Sequence, residues 1–159
     1  MPQTNLERMI ALAGQVFDTK NDPDQLDVTP EIIERLHKLH PSTVSEKIDG
    51  DGPVAWVLVI PTTLEIMNRF LSGETTENEL FEQTDPGLSY DALYLCSALV
   101  LEEYRRKGIA RDLTISAIEE IRKEHPLKAL FVWPFSDEGN KAAEMVAKLV
   151  SLPLFIKES

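Results

Sequence analysis

Cysteine occurs once in the 159 residues, at Cys96, so neither an intramolecular disulfide nor a cysteine-based zinc site can hold the chain together. Its setting, "LYLCSALVL", reads as a buried strand thiol rather than a reactive nucleophile. Long apolar runs are missing too, and none approaches the roughly 18 residues a bilayer span requires. The opening "MPQTNLERMIALAGQVF" lacks a basic leader with an uninterrupted apolar stretch. It reads as an amphipathic helix rather than a signal peptide, which makes the cytoplasm the expected compartment and a membrane an unexpected partner. Basic residues are outnumbered, 16 Lys and Arg against 27 Asp and Glu, for a net charge of -11. A field of that sign repels phosphate backbones and argues against nucleic-acid binding.

The acidity is uneven. Residues 1–90 hold 6 basic and 16 acidic side chains, whereas residues 91–159 hold 10 and 11. Such a surface attracts amines or Lys-rich peptides, and it also serves solubility alone. With 43% hydrophobic and 27% charged residues, the chain has the composition of a single globular domain.

Leu6, Met9, Ile10, Ala13 and Phe17 recur at helical spacing, so residues 4–18 read as a helix with one apolar face. The acids of "DTKNDPDQLD" lack the alternation and central glycine of a calcium loop and read as a solvated turn. "TPEIIERLHKLHP" starts with Thr29 as N-cap and Pro30 at the first helical position, and it ends before Pro41. His37 and His40, three apart, permit a shared face but have no third ligand nearby. They are expected to be ordinary surface or helix-end histidines, with His40 near the helix's last carbonyls and no metal bound.

"TVSEKI" and "VAWVLVIPTT" read as strands around a "DGDGP" turn. "LEIMNRFLSG" and "TENELFEQT" read as helices, and "YDALYLCSALVL" as a further strand. A helix from about Lys107 to His125, a strand "KALFVW", a helix from about Asp137 to Val150 and a strand "LPLFIK" follow. The alternation predicts an α/β fold with helices on both faces of a mixed sheet.

One segment conflicts with simple helix electrostatics. In "EEYRRKGIARDL" the cations Arg105, Arg106 and Lys107 stand immediately before a helix N-terminus, whose partial positive charge disfavours them by roughly 0.3–1 kcal/mol each. An anion would resolve the conflict: free N–H groups at the first turn, basic side chains around them and Gly108 permitting close approach suit a phosphate or pyrophosphate. Alternatively Glu102, Glu103 and Asp112 neutralise the cations and the segment is only a charged corner. No Walker or Rossmann glycine pattern is present.

Arg105-x-x-Gly108-x-Ala110, after a strand and before an amphipathic helix, resembles the acetyl-CoA signature of the GNAT-type N-acetyltransferase superfamily. The similarity spans about residues 91–156. It implies an α/β (α+β) fold with a mixed, mostly antiparallel central sheet flanked by helices, residues 1–90 on the acceptor side and residues 91–156 as the acetyl-CoA-binding core. It also implies that backbone groups of Leu99, Val100 and Leu101 bind the pantetheine arm. Arg105, Arg106, Lys107, Gly108, Ile109, Ala110 and Arg111 would cradle the pyrophosphate. Asn140, in a stretch similar to the family's Asn-x-x-Ala-x-x-Leu-Tyr, would help hold the cofactor or cap a helix.

The implied activity is transfer of an acetyl group to a small-molecule or peptide amine. Two departures stand out: Glu102 where the motif usually has Pro, and Ala147 where many relatives carry a Tyr that protonates the leaving thiolate. A methyl group donates no proton, so a non-catalytic acyl-CoA-sensing or protein-interaction module is the alternative. For proton transfer the candidates are Tyr94, Ser136 and Asp137, each with a packing or capping role as its alternative; Glu103 is expected to face the diphosphate corner. Residues 62–90 exceed the usual connection and either pack as scaffold, line the acceptor pocket or form a lid. Small domains of this family are often dimers, so a homodimer is a further expectation.

Overall fold

The computed structural model describes residues 3–20, 30–133 and 137–157, the side chains of 14–20, 30 and 137–139 aside. Helix α1 (Asn5–Lys20) and helix α2 (Pro30–Leu39) lead into the hairpin β1 (Val44–Asp49) and β2 (Gly52–Thr62). Helices α3 (Leu64–Leu71) and α4 (Glu77–Gln83) precede β3 (Ala92–Val100). Then come α5 (Ile109–Arg122), β4 (Ala129–Val132), α6 (Asp137–Val150) and β5 (Leu154–Ile156). The strands form one sheet in the order β1-β2-β3-β4-β5. It is mixed: β1–β2 and β2–β3 are antiparallel, β3–β4 and β4–β5 parallel.

Alternating side chains build a core on each face. Leu58 and Ile60 of β2, Tyr94 of β3 and Phe131 of β4 pack against α2, α3 and α4 through Leu36, Ile66, Met67, Phe70, Leu80 and Phe81. Val57, Val59, Leu93 and Leu130 pack against Ile118 and Ile121 of α5 and Val146 and Ala147 of α6. A smaller cluster joins Met9 of α1 to Val54, Leu99 and Leu101.

The segment between β2 and β3 is tied down by helix caps and long-range hydrogen bonds. Thr63 caps α3, and Thr76 with Glu79 forms a reciprocal capping box on α4, each such cap stabilising by about 1 kcal/mol. The guanidinium of Arg35 reaches across from α2 to the carbonyls of Glu82 and Thr84 at the end of α4, 2.9 and 3.2 Å away. Thr84, fully buried, shares a 2.7 Å hydrogen bond with Thr62.

Two expectations change. Helix α5 starts at Ile109 rather than Lys107, because Arg106 and Gly108 adopt left-handed φ of 65° and 78° and cannot belong to a right-handed helix. His40 is buried, not on the surface. Its Nδ1 accepts from the Ser42 N–H at 3.0 Å, so its side chain caps the following turn, and its Nε2 lies 2.8 Å from Glu124 at the end of α5. Burial and this second partner come from packing of α2 on α5, which the local spacing does not encode.

Candidate functional site: parting strands and a basic turn

Strands β3 and β4 run side by side only through Ala92–Ala129, Leu93–Leu130 and Tyr94–Phe131. From Leu95 onward the far edge of β3 has no strand partner among the described residues. A bulge marks the change: Val59 pairs with Leu95 and Leu58 with Ser97, leaving Cys96 as the extra residue. Bulges bend and twist a strand, so β3 changes course where it loses its neighbour.

Backbone polarity beyond the bulge follows from pairing to β2. The Leu101 N–H donates to the Val54 carbonyl at 2.9 Å. Alternate residues of an antiparallel ladder turn their backbone groups to opposite edges, so Leu99 and Leu101 face β2 while Val100 faces the opening. The Leu99 and Leu101 side chains are buried against Met9. Of Leu99, Val100 and Leu101, Val100 alone turns its backbone groups to the opening.

After Leu101 a 3-10 turn, Glu102–Tyr104, reverses the chain toward α5. Arg105 folds back, its Nε donating to the Val100 carbonyl at 3.0 Å, which fixes the turn against the end of β3. Arg106 follows in a left-handed conformation that costs of order 1–3 kcal/mol for a residue with a Cβ. Gly108, also left-handed, stands at the N-cap of α5 and offers no side-chain acceptor. The first N–H of the helix with a backbone acceptor is that of Asp112, to the Gly108 carbonyl at 2.9 Å, so Ile109, Ala110 and Arg111 leave theirs to an outside group. A Cβ on Gly108 would stand 2.6 Å from the Arg111 guanidinium. That arm therefore crosses the helix N-terminus, with its Nε 3.2 Å from Asp112.

Neighbouring carboxylates do not cancel the cations of the turn. Glu103 points to α1, not to the diphosphate corner as its place in the motif suggests: Arg8 grips it with two hydrogen bonds of 2.6 and 2.8 Å. Those bonds hold the Glu103 carboxyl down at about 2 from an ordinary 4.5. The Tyr104 hydroxyl donates to Asp49 at 2.7 Å, which raises its pKa. Lys107 lies 5.5 Å from the Tyr104 ring centroid. Among the described residues Arg105, Arg106 and Lys107 form no ion pair. Three exposed cations, first-turn N–H groups without a backbone acceptor and a glycine meet at one corner, an arrangement whose charge and donors suit an anion.

On the opposite face of the sheet the Tyr94 hydroxyl donates to the Glu77 carboxylate at 2.5 Å, both side chains buried. Burial, with nearby Cys96 and Glu77, pushes the Tyr94 pKa well above 10.0, so this hydroxyl holds its proton at neutral pH. Glu77 was not legible as the partner of Tyr94: it reads as the first residue of a capped helix, and only packing brings the two together. Ser136 lies outside the described residues, as does the side chain of Asp137. Asn140 is the fourth residue of α6 rather than its cap. Ala147 is buried between α5 and α6 and brings no proton donor. The described residues contain no cluster of three or more potential metal-ligating side chains, and no described helix is long and apolar enough to cross a membrane.

No protein-family model matches the sequence, and no curated protein matches it. A solved structure does: Chaetomium thermophilum Naa20, a GNAT N-acetyltransferase, in complex with a bisubstrate analogue, is similar over 92% of this chain and 67% of its own. The TM-score is 0.54 and the identity 14%. At that identity the likeness speaks for architecture alone, and with the mixed sheet and its parting strands it establishes that the chain has a GNAT-like fold.

Proposed function

We propose that this protein is an acyltransferase that moves an acetyl group from acetyl-CoA to an amine-bearing acceptor. The observation that carries the reading is the conjunction at one end of β3: an open strand edge presenting Val100, followed within eight residues by the uncapped, cation-lined start of α5. An acyl carrier with a linear amide arm and a diphosphate needs those two features in that order. The amides of the arm pair with a strand edge and the diphosphate takes helix N–H groups and guanidinium charge. The Naa20 fold neighbour was crystallised with a bisubstrate analogue, which is in keeping with this reading.

In the reaction, the neutral amine nitrogen attacks the thioester carbonyl carbon, the carbon–sulfur bond breaks, the nitrogen releases one proton to solvent or a neighbouring group, and the departing thiolate takes up one from the same sources. The Val100 N–H, directed into the opening, is the protein's donor for the developing oxyanion.

Calorimetry with acetyl-CoA tests this on the wild type and on Gly108→Glu, which places a carboxylate in the cradle. Saturable binding to the wild type, weakened about tenfold or more in the variant, supports the reading. No binding by the wild type at millimolar acetyl-CoA sinks it.

Ala147 favours a second reading, a module that binds acyl-CoA without turnover. Its buried methyl lies in the α5–α6 interface. Acetyl-CoA binding with no multiple turnover across a panel of amines would select that alternative.

A further inference from the structure

Beside the point where β3 and β4 part, on the face opposite α5 and α6, two aromatic rings form a corner. Phe70 of α3 and Trp133, just beyond β4, have centroids 6.2 Å apart and planes inclined at 80°. Phe70 is fully buried, with its other contacts to Tyr94 at 5.2 Å and Phe131 at 5.8 Å. Those two residues are the last register pair before the strands separate. The Lys157 Nζ lies 5.6 Å from both the Phe70 and the Trp133 centroids. One ammonium thus interacts with two rings at once, within the range where a ring quadrupole attracts a cation.

Lys157 reaches this place because its N–H donates to the Val132 carbonyl at 2.9 Å, continuing the β5–β4 ladder. The side chain forms no ion pair among the described residues. Its hold on the corner is the contact with the rings, worth on the order of a few-fold to thirtyfold in occupancy.

We infer that the Phe70–Trp133 corner is a binding subsite for a primary alkylammonium of the lysine side-chain type, and that Lys157 occupies it in the free protein and is displaced by the ligand. Three features select this class. The resident group is itself a primary ammonium on a four-carbon stem, so the corner accepts that size and charge. The walls are aromatic, and among the described residues no carboxylate pairs with the ammonium they hold. Two ammonium groups cannot share the corner, so ligand and Lys157 exclude one another. The inference deepens the acyl-transfer reading and rests on it only in taking the bound amine, after loss of its extra proton, as the acceptor.

The indole N–H resonance of Trp133, told from that of Trp56 by its survival in Trp56→Phe, reports on the corner in proton–nitrogen NMR spectra. Wild type and Lys157→Gln are titrated with Nα-acetyl-lysine methylamide and with its uncharged norleucine analogue. The expected result is a saturable shift in Lys157→Gln with the lysine compound, about fivefold or more tighter than the norleucine compound and about fivefold or more tighter than in the wild type. Equal affinity for the two compounds, equal affinity of the two proteins, or no saturable shift in Lys157→Gln overturns the inference. Lys157→Met, which keeps the stem and removes the charge, repeats the comparison with a different side chain. Acetyl-CoA calorimetry reads the cradle at α5, so failure of the transferase reading and failure of the ammonium corner are separate results.

Discussion

Arg8 and Glu103, 95 positions apart in sequence, make the best-defined ion pair of the basic turn. Because the Glu103 carboxyl is held at about 2 rather than 4.5, the folded state binds its proton less readily than the unfolded chain does. Its contribution is therefore complete above pH 4.5 and disappears as pH falls through about 2. Thermal melts of wild type and Glu103→Gln should differ near neutral pH and converge in acid. A gap independent of pH would show that Arg8 does not set the Glu103 proton affinity.

Gly108 makes a second prediction at this scale. Gly108→Ala forces a Cβ into a left-handed position beside the Arg111 guanidinium and should destabilise by about 1–2 kcal/mol in urea unfolding. The flexible Arg111 arm can swing aside, so a much larger loss would mean that its placement is structural.

Among the elements, α4 joins β2 and β3 on the face of the sheet opposite α5 and α6. Its first residue, Glu77, receives the Tyr94 hydroxyl from β3, and Thr84, the C-cap that follows it, bonds Thr62 at the end of β2. Tyr94→Phe withdraws a buried donor from a buried carboxylate and should cost about 1–3 kcal/mol by denaturant titration. Thr76→Ala, at the exposed capping box, should cost about 1 kcal/mol. If both variants lost equally little, the buried pair would be no more than a surface-strength contact. The elements themselves were largely legible. The helices announced themselves through spacing and caps such as Thr63 and Thr76, the strands through runs such as "VAWVLVI". What local pattern did not reveal was which caps have partners at a distance. His40, at a helix end by spacing, turns out to be buried against Glu124.

For the whole molecule, pH dependence near neutrality falls on the junction of α2, α5 and the start of β3. His40 and His125 rings lie 6.1 Å apart, and His125 Nδ1 accepts from the Tyr90 N–H at 3.3 Å. Burial first, then the neighbouring His40, lowers the His125 pKa below 6.5, with Glu124 opposing. A depressed histidine pKa means that the unfolded chain takes up the proton first. The contribution is therefore present above pH 6.5 and lost as pH falls below it. Stability measured in denaturant between about pH 7.5 and 5.5 should drop, and His125→Gln should flatten that slope. A wild-type profile already flat across this window would contradict the assignment.

Local pattern was enough to set the elements and their alternation and to locate the basic turn, because capping, turn glycines and apolar periodicity are interactions between near neighbours. Tertiary structure decided the rest. The parting of β3 from β4, the turning of Glu103 toward Arg8 instead of the diphosphate corner, the burial of Glu77 beside Tyr94 and the seating of Lys157 between Phe70 and Trp133 each join residues 17 or more positions apart. Pairing at such separations depends on which faces the packed sheet and helices bring together, and no local pattern in the chain records it.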